Sequence, residues 1–119
     1  MTPMKSPKSN IWIGATATSK QDVIHITHNY DLIIANKFLS LEPLHDDIAE
    51  FIDFSDFNWV IIGTETGKRK NKVIPKREWI EQIINVCREW NIPVFIKDSL
   101  ADIWGEPLIQ EFPWEDKKT

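Results

Sequence analysis

NWVIIGTETG, at residues 58–67, is the most informative stretch of this 119-residue sequence. Its first part, residues 58–63, is a run of Trp and β-branched side chains that Gly63 ends. Such a run is typical of a short strand, because these side chains pack well on a pleated surface. The polar residues 64–72 that follow are typical of a loop. We therefore predict a strand whose carboxyl end opens into a polar loop.

Three other short apolar runs indicate strands. They are residues 11–17 (IWIGATA), 37–41 (KFLSL) and 93–97 (PVFIK). The second run is followed by Glu42-Pro43, and proline cannot continue a central strand. The chain therefore has four predicted strands.

Helical patterns separate these strands. Ser19 followed by Asp22 resembles a helix cap, and the apolar spacing after it predicts a helix that ends near Asn36. The pair Asp46 and Asp47 predicts a weak second helix, because negative charge is favourable at a helix N-terminus.

The longest helical pattern covers residues 75–90, with Pro75 expected at the first helical position. One apolar stripe predicts which of its side chains are buried. These are Trp79, Ile80, Ile83, Ile84, Val86, Cys87 and Trp90. One or two further helical turns are expected at 98–104.

Four strands that alternate with helical segments predict right-handed βαβ units and hence a parallel sheet. A complete (β/α)8 barrel needs about 250 residues, so four units correspond to about half of a TIM-like barrel. We therefore expect an α/β fold with a disordered leader at 1–10, one domain at 11–105 and a C-terminal tail at 106–119. Both edges of the sheet should be open, which predicts a homo-oligomer or a partner chain that completes the barrel.

The composition excludes several classes of function. There are 14 Lys and Arg against 18 Asp and Glu, and the net charge of −4 argues against nucleic acid as a partner. No apolar run approaches the roughly 20 residues of a membrane span, so no membrane is expected and the protein is interpreted as cytoplasmic. One Cys excludes an intramolecular disulfide and any cluster or zinc site that needs several thiolates of this chain alone.

Polar residues follow the carboxyl ends of the predicted strands, which meet at one edge of a parallel sheet. We predict ligand-binding residues there, and they are Glu42, Gly63, Thr64, Glu65, Gly67 and Lys97. Two carboxylates, a Lys and a glycine-bearing loop are groups that can bind a polar ligand. The alternative is that a carboxylate pairs with the Lys and both charges are satisfied without any ligand.

Other residues carry weaker signals. The basic loop that contains Lys68 and Lys72 is interpreted as a solvated loop tip. His25 and His28 are three residues apart, but with no evident second shell we expect no metal site. Cys87 is interpreted as inert packing, because no His is placed to activate it.

Five segments together carry a resemblance to a known family. They are NIWIGATA (10–17), KFLSLEPL (37–44), WVIIGTETG (59–67), IPKREWIEQIINVCREW (74–90) and IPVFIK (92–97). In this order they resemble the C-terminal half of a phage and bacterial protein family of unknown function that is similar to radical S-adenosylmethionine enzymes. The resemblance implies the last four βα units of a TIM-like barrel, with Glu42, Gly63, Glu65, Gly67 and Lys97 on motif positions.

The chain also departs from that family. Radical enzymes of this type hold an iron-sulfur cluster through three closely spaced Cys in the first half of the barrel, and that half is absent here. Thr64 stands where the family usually has a second glycine. The chain alone therefore binds no cofactor in this interpretation, and S-adenosylmethionine is expected only with a partner half.

Three hypotheses about function stay open, and no catalytic residue is assigned. The first is a half-barrel, non-catalytic alone, that completes a ligand pocket with a partner chain. The second is a small interaction module that self-associates through exposed sheet edges. The third is a small-molecule enzyme that uses Glu42 and Glu65 as acid and base.

Overall fold

The fold is α/β and contains one four-stranded sheet. The structure is a computed structural model, and it describes residues 12–23, 36–67 and 70–114. The strands are β1 (Trp12–Thr16), β2 (Asn36–Leu41), β3 (Trp59–Ile62) and β4 (Val94–Ile96). Each strand pairs in parallel with the next one along the chain. The predicted parallel four-stranded sheet is confirmed.

Two α-helices follow β3 and β4 in the described part of the chain. They are α1 (Arg77–Glu89) and α2 (Ala101–Trp104). Single 3-10 turns lie at Ala49–Phe51, Phe54–Asp56 and Asp98–Leu100. The 3-10 turn before α2, together with α2 itself, confirms the helical turns that were predicted at 98–104.

The cap that Ser19 and Asp22 predict is present, and residues 20–23 are helical. The Asp22 backbone N–H donates to Ser19 Oγ at 3.4 Å, while the Thr18 N–H and hydroxyl each donate to Asp22 Oδ2 at 2.9 Å. These hydrogen bonds, the Thr18 backbone bond first, hold the pKa of Asp22 below its ordinary value. The other apolar residues of this predicted helix, and both His25 and His28, lie outside the described residues.

Asn36 does not end that helix, because it is the first residue of β2 and is fully buried. The weak helix predicted after Asp46 and Asp47 is also wrong, since that region forms two 3-10 turns. A local hydrogen bond favours the break, because the Asp53 carboxylate accepts from the backbone N–H of Ser55 at 3.1 Å. Side chains of this kind compete with helical hydrogen bonding of the backbone.

Helix α1 begins two residues after Pro75, which lies outside the helix instead of at its first position. Its predicted stripe is confirmed at the residues that face the core. Ile80, Ile83, Ile84 and Cys87 are buried, and Trp79 and Val86 pack against them. Trp90 is 40% exposed, because it lies just beyond the last helical residue.

The two faces of the sheet differ in composition. On one face, Leu39, Val60 and Val94 lie in register and share a core with the apolar side of α1. We call this the helix face. The opposite face carries half-buried aromatic rings, with Trp59 at their centre. Its ring lies 6.1–6.4 Å from those of Trp12, Phe38 and Phe95. We call the side formed by these four rings the aromatic face. The rings of Phe112 and Trp114, from the C-terminal segment, lie 5.8 Å and 5.5 Å from that of Trp59.

Gly14 is required by this aromatic packing. It pairs in register with Phe38, and a Cβ atom on Gly14 would overlap the Phe38 ring. The missing side chain on β1 therefore makes the space in which a ring of β2 lies.

The segment after α2 folds back onto β4. Gly105, with φ of 90°, follows the last residue of α2. The Ile96 N–H then donates to the Ile109 carbonyl at 2.7 Å, and the Glu111 N–H donates to the Val94 carbonyl at 2.9 Å. The pairing is antiparallel. The prediction of two open edges is wrong at β4, because this edge is occupied by the chain's own C-terminal segment.

Candidate functional site

An ion pair crosses the carboxyl end of the sheet. Lys97, which follows β4, places its Nζ 2.6 Å from Glu42 Oε2, which follows β2. These two strands are not neighbours, because β3 lies between them. The side chains of Glu42 and Lys97 are 34% and 43% exposed. The carboxylate–lysine pairing that the sequence left open as an alternative is therefore present, and solvent reaches it.

Gly63, the residue after β3, makes this pair possible because it has no side chain. A Cβ atom on Gly63 would lie 3.1 Å from both Cγ and Cδ of Glu42, closer than ordinary contact. The Leu44 N–H donates to the Gly63 carbonyl at 2.9 Å, which fixes the loop after β2 on top of β3. The missing side chain thus lets Glu42 reach across β3 to the residue after β4.

The ion pair forms part of the wall of an open cleft of about 440 Å³. Its lining residues come from the loops after β2, β3 and β4, from β4 itself and from the C-terminal segment. They are Glu42, Thr66, Phe95, Lys97, Asp98, Ser99 and Gln110. One aromatic ring, two carboxylates, an ammonium group, two hydroxyls and an amide can together bind a small polar molecule.

Hydrogen bonds hold the polar walls of this cleft. Gln110 Nε2 donates to Asp98 Oδ1 at 3.2 Å and to the Ile96 carbonyl at 3.1 Å. Ser99 Oγ accepts from the Thr64 backbone N–H at 3.2 Å. Thr64, a predicted site residue, therefore contributes its backbone to positioning Ser99.

Glu65 forms a separate pair. Its Oε1 lies 3.1 Å from Nε2 of His45, and the two side chains are 18% and 32% exposed. The His45 backbone N–H also donates to the Thr18 carbonyl at 3.3 Å, which connects the loops after β1 and β2. Glu42 thus pairs with Lys97, whereas Glu65 pairs with His45.

Gly67 has a role in the backbone of its loop. Its φ is 92°, in the left-handed region that favours glycine, and among the described residues no atom lies within 4 Å of the position of a Cβ. Lys72 Nζ donates to the Gly67 carbonyl at 2.9 Å. The structure thus brings Glu42, Gly63 and Lys97 together, while Glu65 and Gly67 lie at other points of the same end.

Five residues of this region were missed by sequence reasoning. They are His45, Thr66, Phe95, Ser99 and Gln110. His45 and Ser99 carry a weak signal, because each follows a predicted site residue by two or three positions. Gln110 carries none, since its approach to the cleft depends on the fold of the C-terminal segment.

Cys87 is confirmed as a packing residue. It is fully buried in the core, and burial raises the pKa of its thiol to about 12. Among residues 12–23, 36–67 and 70–114, no group of three or more His, Cys, Asp and Glu side chains has the proximity that a metal ion needs. None of the helices in these ranges has the length and apolar character of a membrane span.

These features define an α/β protein with a parallel sheet and an open polar cleft at its carboxyl end. Over residues 1–113 the chain matches the family described as "Protein of unknown function (DUF5131)", and it belongs to that family. No curated protein matches the chain, and no solved structure does.

Proposed function

We propose that this chain is a half-barrel that binds a small polar ligand in the cleft at the carboxyl end of its sheet, and that a partner chain completes the pocket. The observation that carries the proposal is the ion pair of Glu42 and Lys97, which spans Gly63 inside an open cleft. The sequential order of four parallel strands is the order found in a (β/α)8 barrel, which supports the comparison with half of one.

The cleft residues have distinct roles in this proposal. Lys97 donates hydrogen bonds to an anionic or carbonyl group of the ligand, while Glu42 and Asp98 accept hydrogen bonds from its N–H or O–H groups. The half-buried ring of Phe95 offers an apolar surface beside them. The cleft is open and the aromatic face is half-exposed, so a partner chain is needed to exclude water from the ligand.

The first ligand to test is S-adenosylmethionine, which the resemblance to radical enzymes suggests. Its amino-acid group carries both a carboxylate and an ammonium, and these complement Lys97 and the two carboxylates of the cleft. In this proposal the chain supplies a binding surface and a partner supplies any iron-sulfur cluster, because Cys87 is a lone buried thiol. The phage-type origin that the resemblance implies stays a prediction.

Calorimetric titration with S-adenosylmethionine tests the proposal, with the chain alone and with a coexpressed cluster-bearing half. We expect binding heat at least with the partner, and a loss of affinity of 10-fold or more in Lys97→Met and Glu42→Gln. Glu50→Gln is the matched control, because Glu50 is exposed on a 3-10 turn outside the cleft. Absence of heat in both conditions, or equal affinity in all four proteins, would remove the ligand pocket.

A second candidate function is a self-associating interaction module. Trp114 is 61% exposed although its ring contacts the aromatic face. Large aromatic side chains at the surface are common where proteins bind one another. Light scattering at increasing concentration tests this candidate, and a monomer at every concentration contradicts it.

A further inference from the structure

The C-terminal segment, residues 109–114, is attached to the sheet through a few specific contacts. The Glu111 carboxylate accepts from Arg88 Nη1 at 2.7 Å and Nη2 at 3.1 Å, and from the Val94 N–H at 3.0 Å. The Glu111 carbonyl accepts from Trp59 Nε1 at 2.8 Å. Arg88 and Glu111 are 39% and 31% exposed, so solvent screens this pair. We call residues 109–114 the tail strand.

Two aromatic side chains of the tail strand dock on the aromatic face. The ring of Phe112 lies 5.8 Å from Trp59 and 5.3 Å from Phe95. The ring of Trp114 lies 5.5 Å from Trp59 and 6.3 Å from Trp12. A bound strand with an acidic residue followed by aromatic residues one and three positions later is therefore the occupant that this surface fits.

None of these contacts requires that the tail strand belong to the same chain. It is joined to α2 through residues 105–108, of which 105–107 are exposed and Leu108 packs against the core, and no atom of the described residues lies within 4 Å of the Cβ position of Gly105. The same Arg88, Val94 and Trp59 on another copy would offer the same groups to it. Exchange of an identical element between copies is a low-cost route to a dimer, because the same hydrogen bonds and ring packing form between two chains as within one.

We propose that the edge of β4 and the aromatic face form a strand-docking surface, and that a second copy of this chain binds there through its own tail strand. Gln110 lines the ligand cleft, so each cleft of the dimer would contain Gln110 of the partner copy. The inference rests on the proposed function only for the cleft as a ligand pocket, because a second copy, with its single Cys, is not the cluster-bearing half. The strand exchange itself requires no ligand.

A reciprocal change of charge tests the exchange. In Arg88→Glu the docking surface repels the chain's own Glu111, and in Glu111→Arg the tail strand is repelled by its own Arg88. When the two variants are mixed, each docking surface of Arg88→Glu finds an opposite charge on the tail strand of the other chain. We expect monomers of 13.9 kDa from each variant alone and a mass twice as large from the mixture, measured by light scattering after size exclusion.

A mixture that stays monomeric while both variants fold overturns the proposal. Folding is checked by circular dichroism against the wild-type chain. If either variant fails to fold, a labelled peptide of residues 106–114 (EPLIQEFPW) is titrated into the full-length Glu111→Gln chain, with fluorescence anisotropy as the readout. We expect binding that weakens at least 10-fold when the peptide carries Arg at the position of Glu111, and no binding overturns the proposal.

The outcomes separate the two proposals. A dimer without heat from S-adenosylmethionine contradicts the proposed ligand and leaves the strand exchange intact. Heat without a dimer contradicts the exchange and leaves the ligand pocket intact.

Discussion

The two faces of the sheet differ in how deeply their side chains are buried and in the type of side chain they carry. On the helix face, Leu39, Val60 and Val94 are at most 1% exposed and lie in one aliphatic core. On the aromatic face, Phe38, Trp59 and Phe95 are half-buried and are covered in part by the tail strand. Burial of aliphatic side chains stabilises the fold, whereas large aromatic rings that stay partly exposed to solvent are suited to contact with other molecules. Stability therefore resides on one face, and the rings suited to recognition lie on the other.

The largest loss of stability is expected on the helix face. Ile83 on α1 has no exposed surface, so Ile83→Ala leaves a cavity and should lower the free energy of unfolding by about 2–5 kcal/mol. Urea denaturation followed by circular dichroism measures this. Ile74→Ala is the control, because Ile74 is 63% exposed and the change there should stay within about 0.5 kcal/mol. Equal losses at the two positions would contradict the assignment of the core.

Cys87 makes the helix face sensitive to alkali. Burial raises the pKa of its thiol from 9.0 to about 12, so the folded state favours the neutral form. The contribution of the neutral thiol to the free energy of unfolding is fully present below pH 9. It is lost as the pH rises toward 12, because the unfolded chain releases the thiol proton at a lower pH than the folded chain. At about pH 10.5 the loss is on the order of 2 kcal/mol, since one pKa unit corresponds to about 1.4 kcal/mol.

The free energy of unfolding of the wild-type chain and of Cys87→Ala should be compared across this pH range. The variant is less stable at neutral pH but should lack this part of the alkaline decline. Parallel curves for the two proteins would show that the thiol does not titrate as stated.

A smaller effect is expected on the aromatic face. Gly14→Ala introduces a methyl group that overlaps the Phe38 ring, and overpacking of this kind costs about 1–3 kcal/mol. Phe38→Leu should relieve the clash, so the double variant should be less destabilised than the sum of the single variants. A thermodynamic cycle of the four proteins measures the coupling. Strict additivity would mean that the two positions do not interact.

The smallest effect on stability is expected at the cleft. Glu42 and Lys97 are both about one-third or more exposed, and exposed ion pairs contribute about 0–1 kcal/mol. Lys97→Met should therefore leave the free energy of unfolding within about 1 kcal/mol of wild type, while the proposed function requires a 10-fold or greater loss of ligand affinity. A loss as large as that of Ile83→Ala would instead assign the pair a structural role.

The sequence predicted what depends on local patterns. The four strands follow from apolar runs, and α1 follows from the spacing of Ile80, Ile83, Ile84 and Cys87. The prediction failed at residues 46–57, where a charge pattern favoured a helix. There the side chain of Asp53 bonds to the backbone two residues later, and buried Ile48 and Phe54 hold a folded loop.

The candidate site could be predicted only in part. Glu42, Gly63 and Lys97 follow from the rule that the carboxyl ends of parallel strands meet at one edge. His45 and Gln110 depend on contacts between distant parts of the chain, and Gln110 reaches Asp98 only because Glu111 is held by Arg88 and Trp59. Contacts between residues so far apart in the sequence leave no periodic pattern that could predict them.

The missing side chain of Gly63 allows a direct link between two strand ends that are not neighbours. The salt bridge above it ties the segment after β2 to the segment after β4, although these two strands share no ladder of hydrogen bonds. A charged molecule that enters between the carboxylate and the ammonium would break this link, while the backbone N–H groups of Leu44 and Lys97 would still hold both segments to the end of β3. Binding would then change the side-chain contacts of the residues after β2 and after β4 at the same time, on both sides of β3.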